Sequence, residues 1–288
     1  MSKFLSRVLA VLAACLVGSA YAAGGASYPL DRFPTAKLSD QTALQNGAKL
    51  FVNYCLSCHG ASAMRYNRLR DIGLTDDQIK RHLMFTADKV GEPMTVALRA
   101  SDAKAWFGAL PPDLSLTARS RSSGAGSGSD WIYTYLRAYY RDAERPTGWN
   151  NALFENVGMP HVLWELQGQR SLKIEDIHKH KDEKTGATSM VKTVINVDAN
   201  GQRTKTDEKI TDGVPPAGKA YRFTSAEGGQ VSPMRYDADI ADLVAFMTYM
   251  SDPSAATRTR LGVWVLLFLS VFTIFAWNLN RVFWKDIK

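Results

Sequence analysis

Apolar and polar positions recur along this chain with several different rhythms. Leu44, Gly47, Ala48, Phe51 and Tyr54 fall at helical spacing behind Ser39 and Asp40, two candidate caps, and predict a helix that runs into Cys55. The stretch DWIYTYLRAYYRDAERP predicts a second helix, capped by Asp130 and ended at Pro146, after a flexible SSGAGSGS loop at 122–129. Between Tyr236 and Pro253 one helical face carries Ile240, Leu243, Val244, Met247 and Met250, and Phe51 and Gly47 are expected to pack on it near Phe246 or Tyr249. Residues 171–233 lose this period. They form a long charged insert with strand-like stretches around Asn200-Gly201, which reads as a two-residue hairpin turn.

Both ends carry a long apolar run. Residues 1–22 join a short basic start (Lys3, Arg7) to an apolar run and small residues at Ala20 and Ala22, the pattern of a secretory signal peptide. A rival reading takes Leu12 to Cys15 as a lipobox, with Cys15 lipidated. At the other end Leu261 to Trp277 holds no charge. At 1.5 Å per residue it covers about 25 Å, slightly less than a hydrocarbon core of about 30 Å, and Trp264, Trp277, Trp284 and flanking arginines suit the two interfaces. The expected organisation is therefore a signal peptide at 1–22, an exported domain at 23–257, a transmembrane helix at 258–280 and a cytoplasmic tail at 281–288.

The net charge of +7 changes little once it is placed. Lys3 and Arg7 lie in the leader, and five basic residues with a single acid follow Asp252, so the body between is nearly neutral. Its basicity belongs to targeting and anchoring, which removes the nucleic-acid reading.

The chemistry sits in NYCLSCHG. Cys55 and Cys58 stand three apart, and His59 follows directly. A zinc site needs about four ligands, and no second cysteine pair exists. A redox dithiol would want a strand-helix-strand setting, whereas the surroundings read as helix. Covalent haem attachment fits all three residues: two thiols add to the two vinyl groups, and the next side chain reaches the iron. An electron carrier also needs a second axial ligand. Met159, between Gly158 and Pro160, is the candidate; His161 and His82 are competitors read as ordinary polar residues. The paired prolines of FGALPPDLS (Phe107 to Ser115) suit a rigid apolar wall or a solvated turn, and Arg119 or Arg121 suits a haem propionate or solvent. His178 and His180 form a weak metal pattern that reads more readily as a solvated charged face.

Taken together, Cys55-Leu56-Ser57-Cys58-His59, the run Gly108 to Ser115 with Arg121 after it, Gly158-Met159-Pro160 and the C-terminal apolar run resemble the cytochrome c1 family, over about Ala36–Gln169 and Asp237–Lys288. The resemblance implies a mainly α, class I cytochrome c-like haem domain with a charged, partly β insert and a single C-terminal transmembrane helix. It implies one covalent haem c on Cys55 and Cys58, axial ligands His59 and Met159, Pro112 beside the ring and Arg121 at a propionate. It further implies a place beside cytochrome b and the Rieske iron-sulfur protein in the bc1 complex of a bacterial inner membrane. The haem domain would be periplasmic, with a cytochrome c as acceptor. Two other functions remain compatible with the residues: a membrane-bound haem enzyme or gas sensor with an open iron, and a stand-alone anchored cytochrome c serving another oxidase or reductase.

Overall fold

A computed structural model describes residues 28–96, 98–181, 188–210 and 217–285. The leader and Cys15 lie outside them. In chain order the helices are α1 (Gln41–Leu50), α2 (Asp76–His82), α3 (Ala100–Phe107), α4 (Thr117–Ser120), α5 (Gly128–Arg137), α6 (Trp164–Gln167), α7 (Pro233–Ser251) and α8 (Ala255–Phe283). The strands are β1 (Ala61–Arg65), β2 (Pro93–Met94), β3 (Tyr139–Arg141), β4 (Trp149–Asn151), β5 (Leu172–Lys181), β6 (Thr188–Val197), β7 (Arg203–Ile210) and β8 (Gly218–Phe223).

The frame of the haem-type body is the crossing of α1 and α7. Asp40 caps α1 by accepting from the amides of Thr42 and Ala43, and Ser232 caps α7 with Pro233 in its first turn. Gly47 sits at the crossing: a Cβ there would meet the Asp242 carbonyl and lie 2.8 Å from the Phe246 Cβ, so only glycine lets the two backbones approach. One turn on, the rings of Phe51 and Phe246 pack 5.6 Å apart, as the sequence pattern predicts. This apolar seam belongs to a core that also takes in Leu44, Cys55, Leu56 and Met247.

Two expectations need correction. The second helix does not reach Pro146. It is capped by Ser127, with Asp130 completing the reciprocal bond from the third position, and it ends at Arg137. Beyond it the helical-looking residues pair as a strand, Tyr139 opposite Asn151, and tertiary partners take the freed carbonyls. Asn151 donates to the Tyr135 carbonyl at 2.8 Å, and the half-buried Arg170 guanidinium donates to the carbonyls of Arg137 and Tyr139. Helical periodicity alone cannot register those distant donors.

The insert is more ordered than a single hairpin. Its strands form an antiparallel sheet in the order β7-β6-β5-β8. The β6–β7 turn closes at Asp198 and Gln202, so three residues lie between them, and Gly201 takes the left-handed conformation at φ +86°. Leu172, Ile174 and Val197 of this sheet pack with Ala138, Tyr140 and Ala152 into a second small core. Arg203 of β7 reaches the fully buried carboxylate of Asp142, which also accepts from Asn150. Among the described residues no group of three metal-ligating side chains gathers at His178 and His180.

Helix α8 runs longer than the charge-free run suggests. From Arg260 to Phe283 it offers 24 residues long and apolar enough to cross a membrane, none of that surface buried in the rest of the chain. At 1.5 Å per residue this covers about 36 Å, more than the expected 258–280 segment.

Candidate haem site

A single π-turn carries α1 into the cysteine motif: Leu56 donates to the Phe51 carbonyl, five residues back. The motif then closes on itself, because the Cys55 carbonyl accepts from Cys58 at 3.1 Å and from His59 at 2.8 Å. Both cysteines are free thiols, Cys55 buried and Cys58 half-buried. Burial, reinforced by Cys58, pushes the Cys55 thiol up to about 12. The motif thus follows a helix, which disposes of the thioredoxin-like setting, and among the described residues no three zinc-type ligands converge.

His59 is oriented by the proline segment. Its Nδ1–H donates to the Pro112 carbonyl at 2.8 Å, which leaves Nε2 as the nitrogen with a free lone pair. Burial lowers the pKa of the ring below the ordinary histidine value, so the neutral, ligating form prevails. The segment is strapped in turn to the chain that follows the motif. Leu114 donates to the Gly60 carbonyl, Asp113 accepts from the amides of Ser62 and Ser115 at 2.8 Å, and Ser115 Oγ accepts from the Ala63 amide at 3.0 Å. Burial alone would raise the Asp113 carboxyl; the hydrogen bonds from Ser115 and Ser62 outweigh it and hold the group below the usual carboxylate range.

Two adjoining hollows, of about 740 and 920 Å³, open beside His59. They share His59, Pro112, Gly158 and Met159 as walls. The first is completed by Tyr54, Cys58, Phe107, Leu110 and Pro111, the second by Cys55, Arg121, Trp131, Tyr135 and Met247. All six residues singled out in the sequence, Cys55, Cys58, His59, Pro112, Arg121 and Met159, therefore face one slot. A Cβ at Gly158 would meet no protein atom within 4 Å, so its missing side chain keeps the slot clear. Arg121 lays its guanidinium 4.4 Å over the Trp131 ring and makes no ion pair among the described residues.

The rival histidines are elsewhere. His82 is exposed at the end of α2. His161 is 2 % exposed, stacked on Tyr139 at 4.7 Å and edge-on to Trp149, and lines neither hollow. Burial lowers it to about 3, and its Nε2 has no hydrogen-bond partner. The slot accordingly combines two thiols, one imidazole and a thioether with apolar walls, a donor set that fits a flat, covalently held metalloporphyrin.

Comparison with known proteins agrees with this geometry. A model of the cytochrome C1 family matches residues 33–185. The cytochrome c1 of Allochromatium vinosum is 39 % identical over 87 % of this chain and 86 % of its own length. The chain belongs to the cytochrome c1 family. Another relative, named ammonia monooxygenase gamma subunit, from Nitrosomonas europaea, is 37 % identical over 100 % of this chain and 99 % of its own. The cytochrome c1 of Cereibacter sphaeroides is 23 % identical, again over 100 % of this chain. This cytochrome c1-family protein is thus a haem electron carrier of c type, mostly helical, with a C-terminal membrane helix.

Several wall residues of the cytochrome escape a reading of the sequence. Met247 reads there as filler of the last helix, yet it lines the same hollow as Met159. Trp131 and Tyr135 stand four residues apart on α5, the one signal that they share a face. What they face is set by residues some twenty positions away.

Proposed function

We propose that this chain is the electron-transferring subunit of a bacterial bc1 complex, taking electrons from the Rieske iron-sulfur protein beside cytochrome b and passing them to a cytochrome c. The observation that carries the reading is the slot itself: His59 and Met159 both wall an apolar space into which both cysteines face, on a body continuous with one apolar helix. In this reading Cys55 and Cys58 would hold one haem c, His59 and Met159 would ligate its iron, Pro112 would pack beside the ring, and Arg121 would pair with a propionate. Bound haem supplies reversible one-electron chemistry.

The chain's residues do the rest. The Pro112 carbonyl fixes the His59 ring and its tautomer. Phe107, Leu110 and Leu114 supply apolar side chains to the walls. With an imidazole and a thioether both given to the iron, such a haem would keep no open position for peroxide or gas, and the neutral thioether would favour the reduced state. A signal peptide at 1–22 would put the domain at 23–257 on the periplasmic side of the inner membrane and 281–288 in the cytoplasm, a reading supported by Arg281 and Lys285 after the apolar helix.

Met159→Ala is expected to open the iron, admit carbon monoxide at neutral pH and lower the potential. An unchanged spectrum would favour the open-site enzyme or gas sensor instead. Mild detergent extraction tests the partners: a b-type cytochrome and an iron-sulfur protein are expected to co-purify with the chain. A second reading keeps the chemistry and changes the partner. The full-length match to a protein named as a monooxygenase subunit favours a carrier serving another membrane oxidoreductase, and co-purification with such an enzyme would decide for it.

A further inference from the structure

Met159 is held at two of its atoms by two phenols. Tyr135 Oη lies 3.6 Å from the Met159 sulfur, Tyr139 Oη lies 3.2 Å from the Met159 carbonyl, and the two hydroxyls are 2.7 Å apart. Neither ring is free to drift. Tyr135 stacks on Trp131 at 4.8 Å and 13°, with Arg121 on the same indole, and Tyr139 stacks on His161 at 4.7 Å and 4°. Each phenol has one proton to donate.

Two protons shared among these positions allow two closed arrangements. When Tyr139 donates to the Met159 carbonyl, Tyr135 donates to the Tyr139 oxygen and the sulfur accepts nothing. When Tyr139 donates to the Tyr135 oxygen, Tyr135 donates to the sulfur. Rotation about two C–O bonds interconverts them, and no proton leaves its oxygen.

We propose that Tyr135 is a positioning residue that tunes the sixth ligand: its hydroxyl donates to the Met159 thioether in the reduced protein and turns to Tyr139 in the oxidised one. This rests on Met159 being that ligand. A hydrogen bond to sulfur competes with the metal for its lone pairs. Withdrawing density from the sulfur costs more beside electron-poor ferric iron than beside ferrous iron, so the bond persists at less cost in the reduced state and favours it.

The test is a redox titration, with optical spectra, of the detergent-solubilised holoprotein as wild type, Tyr135→Phe and Tyr139→Phe. Tyr135→Phe is expected to keep the sulfur-to-ferric-iron charge-transfer band, yet to lower the ferrous-to-ferric ratio about threefold, which is about 28 mV at 59 mV per decade for one electron. In Tyr139→Phe the Tyr135 hydroxyl has only the sulfur left, and the potential stays at or above wild type. An unmoved potential in Tyr135→Phe, or a fall in Tyr139→Phe, overturns the proposal while Met159 stands as ligand. Should Tyr135→Phe fail to accumulate, the direction of change in Tyr139→Phe decides alone. Absence of the band in wild type overturns the ligand assignment itself, and the proposal with it.

Discussion

Pro112 serves the site through its carbonyl more than through its ring, because that oxygen sets the histidine tautomer. Asp113 holds the carbonyl in place through two amides, and its carboxyl sits below the usual range. A depressed folded value means that its contribution to stability is complete above the unfolded pKa of about 3.9 and disappears as the pH falls through the folded value. Asp113→Asn is therefore expected to cost about 1–2 kcal/mol at neutral pH and nothing in acid. Thermal unfolding across the acid range checks this by the convergence of the two proteins. At this scale the cysteine motif was legible because covalent attachment dictates its spacing. Met159 was only one candidate among the methionines until the family pattern singled it out. Tyr135 and Tyr139 were hidden because a phenol's partner lies in another segment, and the burial of His161 was hidden because a stacked histidine looks in sequence like any other.

Among the elements, the α1–α7 crossing admits the least change. Gly47→Ala places a methyl on the Asp242 carbonyl and against Phe246, with no flexible side chain to yield. The expected loss is about 3 kcal/mol or more, read in thermal unfolding and in the amount of haem retained after purification. The sheet insert depends on a different contact. Arg203→Ala leaves the Asp142 carboxylate, 0 % exposed, with hydrogen bonds from Asn150 and the Glu144 amide but no cation. About 3 kcal/mol of destabilisation is expected in denaturant titration. The amphipathic helices α1 and α7 were readable because their burial is periodic. The end of α5 was not, since strand pairing and the Arg170 guanidinium captured a segment whose local pattern still favours helix. The turn at Asn200-Gly201 was found in place but assigned too few residues, because hydrophobic alternation does not count the residues of the loop it surrounds.

For the molecule as a whole, the terminal apolar helix buries none of its membrane-length surface in the rest of the chain. Removing residues 255–288 is expected to release a haem-bearing protein that partitions into the aqueous phase of a detergent separation with its spectrum unchanged. The helix was legible from its absence of charge, which no soluble surface tolerates over that length. The four-stranded insert was legible only as a loss of helical rhythm around one hairpin, since its outer strand β7 is almost wholly exposed and carries no inward face to betray it.

Only Asp252, Pro253 and Ser254 separate α7 from α8, and Arg258 closes back on Asp252 at 2.6 Å across that joint. Fully extended, three residues reach about 10 Å. The body is thus moored, with no slack to swing towards a distant donor or acceptor, and any travel needed to bring a redox neighbour within range falls to that neighbour.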